Sequence, residues 1–330
     1  MVEEIAGADN LRTLMNEFGK KREPFLFLID YHMERGVVIP VSDIPDSGLA
    51  CRIGGKNYGT VAPEKATPRT ELNIKPVPKA QYAAAFNNVA DKIKRGDSYL
   101  VNLTFKTPIG RRINMAHIFR NATSPYRFLW PGRFVFFSPE SFVKIEHGII
   151  RSYPMKGTID AACPEAEKQL LADYKERCEH NTIVDLIRND ISAIADNVKI
   201  ERFRYIEKIK THKGELLQSS SEISGQLSDG WQDKIGDYLF SMLPAGSISG
   251  APKRRTVEII AESETTPRGY YTGIMGIFEC DRLESCVAIR YIEKGENGEY
   301  YYRSGGGITS CSRLEDEYEE MISKIYVPVI

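Results

Sequence analysis

The chain has 330 residues, of which 42% are hydrophobic and 27% charged, and its formal net charge is −1. This composition is typical of a globular protein that is large enough for one big or two modest cores. The near-neutral charge argues against nucleic acid or a membrane surface as the main partner, and no apolar run approaches the ~20 residues of a membrane span.

The first residues, from Met1 to Ile5, lack the basic start and the apolar stretch of a secretory signal, and six cysteines are scattered without Cys-x-x-Cys spacing. This pattern predicts a cytoplasmic protein with reduced thiols, and it argues against a disulfide framework or a zinc site. There is no repeat, and no stretch is typical of a flexible linker. We therefore expect one mixed α/β unit over residues 1–330.

Residues 1–75 contain one pattern typical of a strand, Phe25–Ile29, followed by a stretch rich in Gly and Pro that carries no chemical motif. Further along, Lys79–Arg95 predicts an amphipathic helix, and the alternation from Tyr99 to Phe105 predicts a strand. The later predicted elements are, in chain order, strands over Phe134–Phe137 and Gly148–Tyr153, a helical stretch with a break over Pro164–Ala195, a helix over Pro252–Glu262, strands near 271–279, 285–293 and 299–304, and a helix from about Leu314.

Lys156 stands between Pro154 and Gly157, just after the predicted strand over Gly148–Tyr153. Rigid backbone at the end of a strand is where loops build sites. A lysine is a cation near neutral pH, and it becomes a nucleophile only when it is desolvated or placed beside another positive charge. A solvated surface lysine is the alternative at this point.

Two Glu-x-x-Glu pairs lie on predicted helices. Glu176 and Glu179 share one helix face, and Glu317 and Glu320 share a face of the last helix. Buried carboxylates are costly unless they are paired or bind a metal, and oxygen ligands suit Mg²⁺. The alternatives are therefore a Mg²⁺ site and two solvated acidic faces.

Three further segments have residue types that suit an anion. Gly305–Gly307 follows a predicted strand, and glycines let backbone N–H groups approach an anion closely, although a tight turn is the alternative. The segment from Gly246 to Lys253 contains Ser249 and opens a helix, whose N-terminus favours anions, but its residue order is not that of a P-loop. Arg290 lies in the predicted strand over Cys286–Tyr291, where its partner is either a protein carboxylate or a substrate.

In chain order, these motifs resemble those of the chorismate-utilising enzymes, a family that includes the large subunits of anthranilate synthase and aminodeoxychorismate synthase together with isochorismate and salicylate synthases. The resemblance covers roughly Lys79 to Tyr326. It rests on Ser138-Pro139-Glu140, Glu176-x-x-Glu179-His180 running into Val184–Asp190, Ser249–Lys253, Arg268-Gly269-x-Tyr271-x-Gly273, Ile289-Arg290, and Gly305–Gly307 followed by Glu317-x-x-Glu320.

The resemblance implies an α/β sandwich of two antiparallel sheets with helices outside and a deep cleft between the sheets, with residues 79–326 as the catalytic core. It also implies Mg²⁺ as cofactor, holding the ring carboxylate of chorismate. Glu179 and Glu320 match the positions that bind Mg²⁺, and Glu176 and Glu317 match neighbours that act directly or through water.

The same resemblance implies contacts with the substrate. The positions that hold the pyruvyl carboxylate of chorismate are matched by Tyr271, Arg290, Lys324 and the amides of Gly306 and Gly307. Ser249 belongs to another matched segment and counts with the substrate-binding residues. Glu140 matches the acid that assists loss of the C4 hydroxyl group.

Position 156 distinguishes the members of the family. Anthranilate synthases carry alanine there, whereas aminodeoxychorismate synthases carry Pro-x-Lys-Gly-Thr, as does this chain over residues 154–158. Isochorismate and salicylate synthases use a lysine base in an earlier strand, where this chain has Leu100. The resemblance is therefore closest to aminodeoxychorismate synthase component I of the 4-aminobenzoate branch of folate synthesis, with Lys156 as covalent nucleophile. No Gly-x-Cys-x-Gly nucleophile elbow is present, so ammonia would come from a separate glutaminase subunit.

Other interpretations stay open at this point. Within the family the runner-up is anthranilate synthase component I, which releases pyruvate and an aromatic product; a non-catalytic homologue and a Schiff-base lysine enzyme such as an aldolase are the others. The chain also departs from the family pattern. Gln218 stands where the family usually has histidine, and the region before Lys79 is shorter than usual, so the tryptophan pocket of some relatives is expected to be absent or incomplete.

Overall fold

The computed structural model describes residues 2–61, 70, 72–211 and 214–327. The helices formed by these residues, α1 to α10, are Ala8–Lys21, Ile44–Ser47, Lys79–Lys94, Met115–Asn121, Ala166–Ala172, Tyr174–Ser192, Ile235–Ser241, Gly246–Ser249, Lys253–Ser263 and Leu314–Ser323. Within the described ranges, none of them combines the length and the apolarity needed to cross a membrane.

The strands of the described residues, β1 to β18, are Ile5–Ala6, Phe25–Ile29, Arg35–Pro40, Ala50–Ile53, Lys56–Tyr58, Leu100–Gly110, Tyr126–Trp130, Phe134–Ser138, Ser141–Glu146, Ile149–Ser152, Met155–Asp160, Asp196–Thr211, Gly214–Gln226, Gly250–Ala251, Ile274–Glu279, Arg282–Val287, Tyr291–Lys294 and Tyr300–Thr309. They form two sheets. The first has the order β1-β3-β2-β15-β16-β9-β10-β13-β11, with β12 also paired to β13, and the second has the order β14-β6-β18-β17-β8-β7-β4-β5.

All pairings in both sheets are antiparallel. The predicted fold class, two antiparallel sheets with helices, is thereby confirmed. The first five strands, all before residue 61, already contribute to both sheets.

A hydrophobic core joins the two sheets. Leu26 and Met275 of the first sheet pack in one buried cluster with Phe128, Phe136 and Tyr291 of the second sheet. Burying one such side chain contributes roughly 1.5–3 kcal/mol, so this cluster holds the two sheets firmly against each other. That matters for function, because both sheets supply residues to the site described below.

Several predicted elements are confirmed with small changes of boundary. The helix predicted over Lys79–Arg95 is α3, and its apolar positions, including Phe86 and Val89, are buried. The break predicted between 164 and 195 falls at Asp173, which ends α5. The side chain of Asp173 accepts a hydrogen bond from the Glu176 amide and so caps α6, the helix that carries the first acidic pair.

The strand predicted over 285–293 is wrong as a single element. The chain leaves β16 of the first sheet at Val287 and enters β17 of the second sheet at Tyr291. Arg290 lies in this crossing with φ of 55°, a left-handed conformation that is uncommon for a residue other than glycine. The sequence pattern does not reveal the crossing, because the residues on both sides of Arg290, Cys286–Ile289 and Tyr291–Ile292, are apolar and read as one continuous strand.

Two other positions differ from the prediction. Lys156 follows the predicted strand, which is β10, but it also lies within the next strand, β11, which pairs with β13 and has an irregular register at Gly157. Gly305–Gly307 likewise lies inside β18 and not after it. In both cases glycine weakened the strand pattern, yet neighbouring strands supply enough pairing to hold the extended backbone.

Candidate active site

The two acidic helices, α6 and α10, bring their carboxylates to one place. Glu179 of α6 and Glu317 of α10 are 5% and 2% exposed. The Nζ atom of Lys175 lies 2.7 Å from Oε1 of Glu317 and 3.8 Å from Oε1 of Glu179, so one ammonium group spans both helices. Glu176, Glu179, Glu317 and Glu320, with the lysines that contact them, are called the acidic cluster below.

Strand β18, which contains Gly305–Gly307, lies against the acidic cluster. A Cβ atom at Gly306 would lie 3.5 Å from Oε2 of Glu317 and 3.5 Å from Oε1 of Glu320. On the other helix, Oε2 of Glu176 lies 3.1 Å from the Cβ position of Gly157. A larger side chain at these strand positions would fill the space between backbone and carboxylates, which explains why glycine stands there.

Lys156 reaches the same place from β11. Its Nζ atom lies 3.5 Å from Oε2 of Glu179, and its side chain is 19% exposed. The Cβ position of Gly307 is 3.5 Å from this Nζ atom, 3.4 Å from Oε2 of Glu179 and 3.2 Å from Cδ1 of Leu100. The structure therefore brings Lys156 into the acidic cluster, with an apolar side chain beside it, and does not leave it as a solvated surface lysine.

Glu140 lies between β8 of the second sheet and β9 of the first. Part of its surface is still accessible to solvent, yet protein atoms surround the carboxyl group closely, and this desolvation raises its pKa. A hydrogen bond from the Ser247 hydroxyl and the charges of Lys156 and Arg290 oppose the shift without cancelling it. A raised pKa favours the protonated form, which suits a general acid.

Arg290 has no carboxylate partner among the described residues, and its Nε atom is buried without a hydrogen bond there. Its guanidinium group lies 5.1 Å from the ring centre of Tyr326. A buried guanidinium donor without an acceptor is costly, so an anionic ligand would relieve it. Of the two partners considered from the sequence, the described residues do not supply the protein carboxylate.

Tyr271 is 4% exposed, and burial raises its pKa to about 12, so its hydroxyl stays neutral and can donate a hydrogen bond. Lys324 belongs to the acidic cluster, because its Nζ atom lies 2.7 Å from Oε1 of Glu320 and donates to the Gly305 carbonyl at 2.9 Å. Ser249 differs from both. It is fully buried and its hydroxyl donates to the Ala245 carbonyl at 2.9 Å, so its role in substrate binding stays a prediction without a contact to support it.

The acidic cluster has the donor chemistry of a Mg²⁺ site but not its closed geometry. Burial raises the pKa of Glu176 and of Glu179, whereas Lys324 lowers the pKa of Glu320 in spite of its burial. No three Asp, Glu, His or Cys side chains of the described ranges are closed around a point as metal ligands. The donors are nevertheless hard carboxylate oxygens on facing helices that already hold an ammonium group between them, so their chemistry fits Mg²⁺ once the lysines give way.

Gln218 lies on β13, where its register partner is Thr158 of β11, while its neighbour Ser219 is the partner of Lys156. The strand that carries it is therefore adjacent to the strand of the candidate nucleophile. An amide does not titrate, so this position cannot take up or release a proton.

Sequence reasoning missed a buried ion pair beneath the site. Arg268 is 1% exposed and binds both carboxylate oxygens of Glu264, at 2.9 and 2.6 Å. Its other donors go to the carbonyls of Ile248 on α8 and Asn102 on β6, at 2.8 and 2.7 Å. Asn102 is the register partner of Gly307, so this pair fixes the strand beside the glycines. Glu264 follows the last residue of α9 and has an extended backbone, so the pair does not arise from helical spacing and no helix pattern could have predicted it.

Lys175 and Ser247 were missed as well. Lys175 stands four residues before Glu179 on the same helix, a spacing that predicts contact. The Ser247 contact with Glu140 joins residues 107 positions apart, which no local pattern can reveal.

Comparisons with known proteins identify the family of the chain. Residues 53–329 match the sequence profile described as chorismate binding enzyme. An uncharacterized PabA-like protein of Pasteurella multocida is 50% identical over 317 residues, which are 95% of this chain and 97% of that protein.

Two relatives carry the names of different reactions. A probable anthranilate synthase component 1 of Schizosaccharomyces pombe is 34% identical over 265 residues, covering 74% of this chain and 52% of that protein. An aminodeoxychorismate synthase component 1 of Salmonella typhimurium is 30% identical over 290 residues, covering 81% and 62%.

Among solved structures, MenF, the menaquinone-specific isochorismate synthase of Escherichia coli, superimposes with a TM-score of 0.75 at 18% identity, over 98% of this chain and 82% of that one. At this level of identity the likeness concerns the fold alone.

Proposed function

The chain belongs to the chorismate binding enzyme family, and we propose that within this family it is aminodeoxychorismate synthase component I. It would convert chorismate and ammonia to 4-amino-4-deoxychorismate, the precursor of 4-aminobenzoate. Relatives named for aminodeoxychorismate synthesis and for anthranilate synthesis both match the chain, so overall similarity does not select the reaction. The residues around position 156 favour the aminodeoxychorismate synthase reaction.

The observation that carries the proposal is the position of the Lys156 amine. It lies inside the acidic cluster, 3.5 Å from Glu179, and beside the glycines of β18. An amine at this depth can reach a substrate that the glycines and the cluster hold, whereas a surface lysine cannot. Leu100 lies next to Gly307 and has no group that could activate water, which argues against the isochorismate reaction.

In the proposed reaction the Lys156 nitrogen bonds to C2 of chorismate, the ring double bonds shift, and the C4 hydroxyl group leaves as water. Ammonia then bonds to C4, the double bonds shift back, and the bond between C2 and Lys156 breaks. In each half, Glu140 gives one proton to the leaving oxygen or nitrogen and takes one back from the newly formed ammonium. Because Lys156 covers C2, the amine is delivered to C4.

The other residues of the cleft would bind and orient chorismate. The unpartnered Nε of Arg290, the neutral hydroxyl of Tyr271 and the amides beside the acidic cluster suit the pyruvyl carboxylate. Glu179 and Glu320, with Glu176 and Glu317 directly or through water, would hold Mg²⁺, which supplies positive charge for the ring carboxylate.

One assay tests the proposal. The purified chain is incubated with chorismate, Mg²⁺ and ammonium salt at a pH that supplies free ammonia, and the products are identified by mass spectrometry. We expect 4-amino-4-deoxychorismate, and no product when glutamine replaces ammonium, since the glutaminase would be a separate subunit. Anthranilate with pyruvate would instead establish the runner-up, and chorismate binding without turnover would establish a non-catalytic homologue.

A further inference from the structure

Lys175 is a cation of the acidic cluster that takes no part in the chemistry proposed above. It is the second residue of α6, and its ammonium group bonds to Glu317 at 2.7 Å and approaches Glu179 at 3.8 Å. The side chains of these two acids are 2% and 7% exposed, while that of Lys175 is 31% exposed. Lys175 therefore reaches from the surface to the place where the two acidic helices meet.

The position is unfavourable for a cation by itself. Lys175 lies in the first turn of α6, where the helix dipole repels positive charge. Burial alone would lower the pKa of Lys175, but the hydrogen bond to Glu317 and the charges of Glu317 and Glu179 outweigh it and raise the pKa above its usual value. The carboxylates of the cluster, and not the local helix, hold the ammonium group there.

The way in which Lys175 is held also differs from that of Lys324. Lys324 bonds to a carboxylate and to the backbone carbonyl of Gly305, which fixes its head group. Among the described residues Lys175 has carboxylate acceptors only. Its long stem starts at the helix surface, so the head group can return to solvent once another cation satisfies Glu317 and Glu179.

We propose that Lys175 is a built-in competitor of the divalent cation: it neutralises Glu317 and Glu179 while no metal is bound, and metal binding displaces it. This inference rests on the metal site of the proposed function and goes beyond it, because it assigns the metal affinity of the chain to a residue that is not a ligand. A cation that must be displaced weakens metal binding, and its removal leaves the carboxylates with an unmatched negative charge.

The test compares Mg²⁺ binding by the parent chain, Lys175→Met and Lys175→Arg without chorismate. Isothermal titration with MgCl₂ gives the Kd, and the melting temperature is recorded with and without Mg²⁺. Lys168→Met is the matched control, because Lys168 pairs with Glu165 at a surface position where its side chain is 77% exposed.

We expect Lys175→Met to bind Mg²⁺ at least about tenfold more tightly than the parent. Its melting temperature without metal should fall, because the carboxylates repel one another, and the rise on adding Mg²⁺ should exceed that of the parent. Lys175→Arg keeps the positive charge and should bind like the parent, as should Lys168→Met. If Lys175→Met does not fold, Lys175→Gln gives the same comparison.

A Kd for Lys175→Met that equals or exceeds that of the parent would overturn the proposal and leave Lys175 as a structural tie between α6 and α10. The outcome is separable from that of the proposed function. A chain that makes 4-amino-4-deoxychorismate but shows no tightening rejects only this inference. A chain that shows the tightening but makes another product rejects only the assigned reaction. If no variant binds Mg²⁺, both this inference and the metal site are rejected.

Discussion

The Nζ atom of Lys156 lies 3.5 Å from Oε2 of Glu179. This contact joins the candidate nucleophile to a candidate metal ligand, and each must leave the other before it can act. Nucleophilic attack requires an amine whose lone pair is free, and the contact with Glu179 occupies the group that must attack. A divalent cation on Glu179 would break the pair and place a positive charge nearby, so we expect metal binding to precede the covalent step.

Lys156→Ala should reduce formation of 4-amino-4-deoxychorismate by about 100-fold or more, because it removes the nucleophile. Residual turnover should shift towards amination at C2, since that carbon is no longer covered. Product identification by mass spectrometry checks both effects. A chorismate-derived mass on the peptide containing Lys156, trapped without ammonia, would be direct support, and a parent rate in Lys156→Ala would exclude the assigned role.

Glu179→Gln and Glu320→Gln should each remove most activity and weaken Mg²⁺ binding, because each replaces a charged oxygen ligand by a neutral one. Activity as a function of Mg²⁺ concentration and calorimetric titration measure the two effects. Glu315→Gln is a suitable control, since Glu315 lies on the same helix α10 at an exposed position, paired with Lys79. Full activity of the parent chain in EDTA would contradict the prediction.

Glu140→Gln should change how stability depends on pH. Because burial raises the pKa of Glu140, the folded chain binds this proton more tightly than the unfolded chain does. That contribution is fully present below the unfolded pKa, about 4.5, and is lost as the pH rises through the folded value. Glutamine is neutral throughout, so the variant should gain stability relative to the parent between pH 4.5 and pH 8.

Urea unfolding at the two pH values measures the Glu140 effect, with Glu146→Gln as control, because Glu146 is the exposed last residue of β9. Equal differences between parent and Glu140→Gln at both pH values would show that the pKa is not raised. In the activity assay, the rate of the parent should fall as the pH rises and Glu140 loses its proton. The rate of Glu140→Gln, which has no such proton, should not show this fall.

Arg268→Met should destabilise the fold by about 3–5 kcal/mol, because it leaves the carboxylate of Glu264 buried without its partner. The double variant Arg268→Met/Glu264→Met should cost clearly less than the sum of the single changes. The exposed pair Arg254–Glu258 provides the control, since Arg254→Met should change stability by less than about 0.5 kcal/mol. Additive costs in urea unfolding would argue against a coupled pair.

Gly306→Ala and Gly305→Ala should fail in different ways. A Cβ atom at Gly306 makes ordinary contacts, 3.5 Å from two carboxylates, so the variant should fold but bind chorismate about tenfold more weakly. At Gly305 the added atom would lie 2.2 Å from the Leu103 carbonyl oxygen, and the chain should lose stability instead. Melting temperature and chorismate Kd, measured on both variants, distinguish the two outcomes.

Local pattern was sufficient where one element decides the structure. The amphipathic face of α3 follows from helical spacing, and the break at Asp173 from a cap within a few residues. The acidic pairs were likewise found from helical spacing, although spacing alone did not show that the two helices meet.

Pattern failed where two sheets or distant segments meet. The crossing at Arg290 has no local signal, and the strand around Lys156 is held by β13, some 60 residues later in the chain. The contact of Lys175 with Glu317 was not predicted, since ion pairing between α6 and α10 depends on tertiary packing. Charge partners of this kind follow from the fold and cannot be derived from periodicity.

The crossing at Arg290 also has a mechanical consequence. Lys156 belongs to the first sheet, Gly306 to the second, and Arg290 to the short segment between β16 and β17 that passes from one to the other. A ligand that contacts Lys156, Gly306 and Arg290 would therefore bind to both sheets and to the segment that joins them, and would restrain the sheets relative to each other. Its binding should therefore slow hydrogen exchange at the seam between the sheets, in β11 and β18 together, and not merely at the residues it touches.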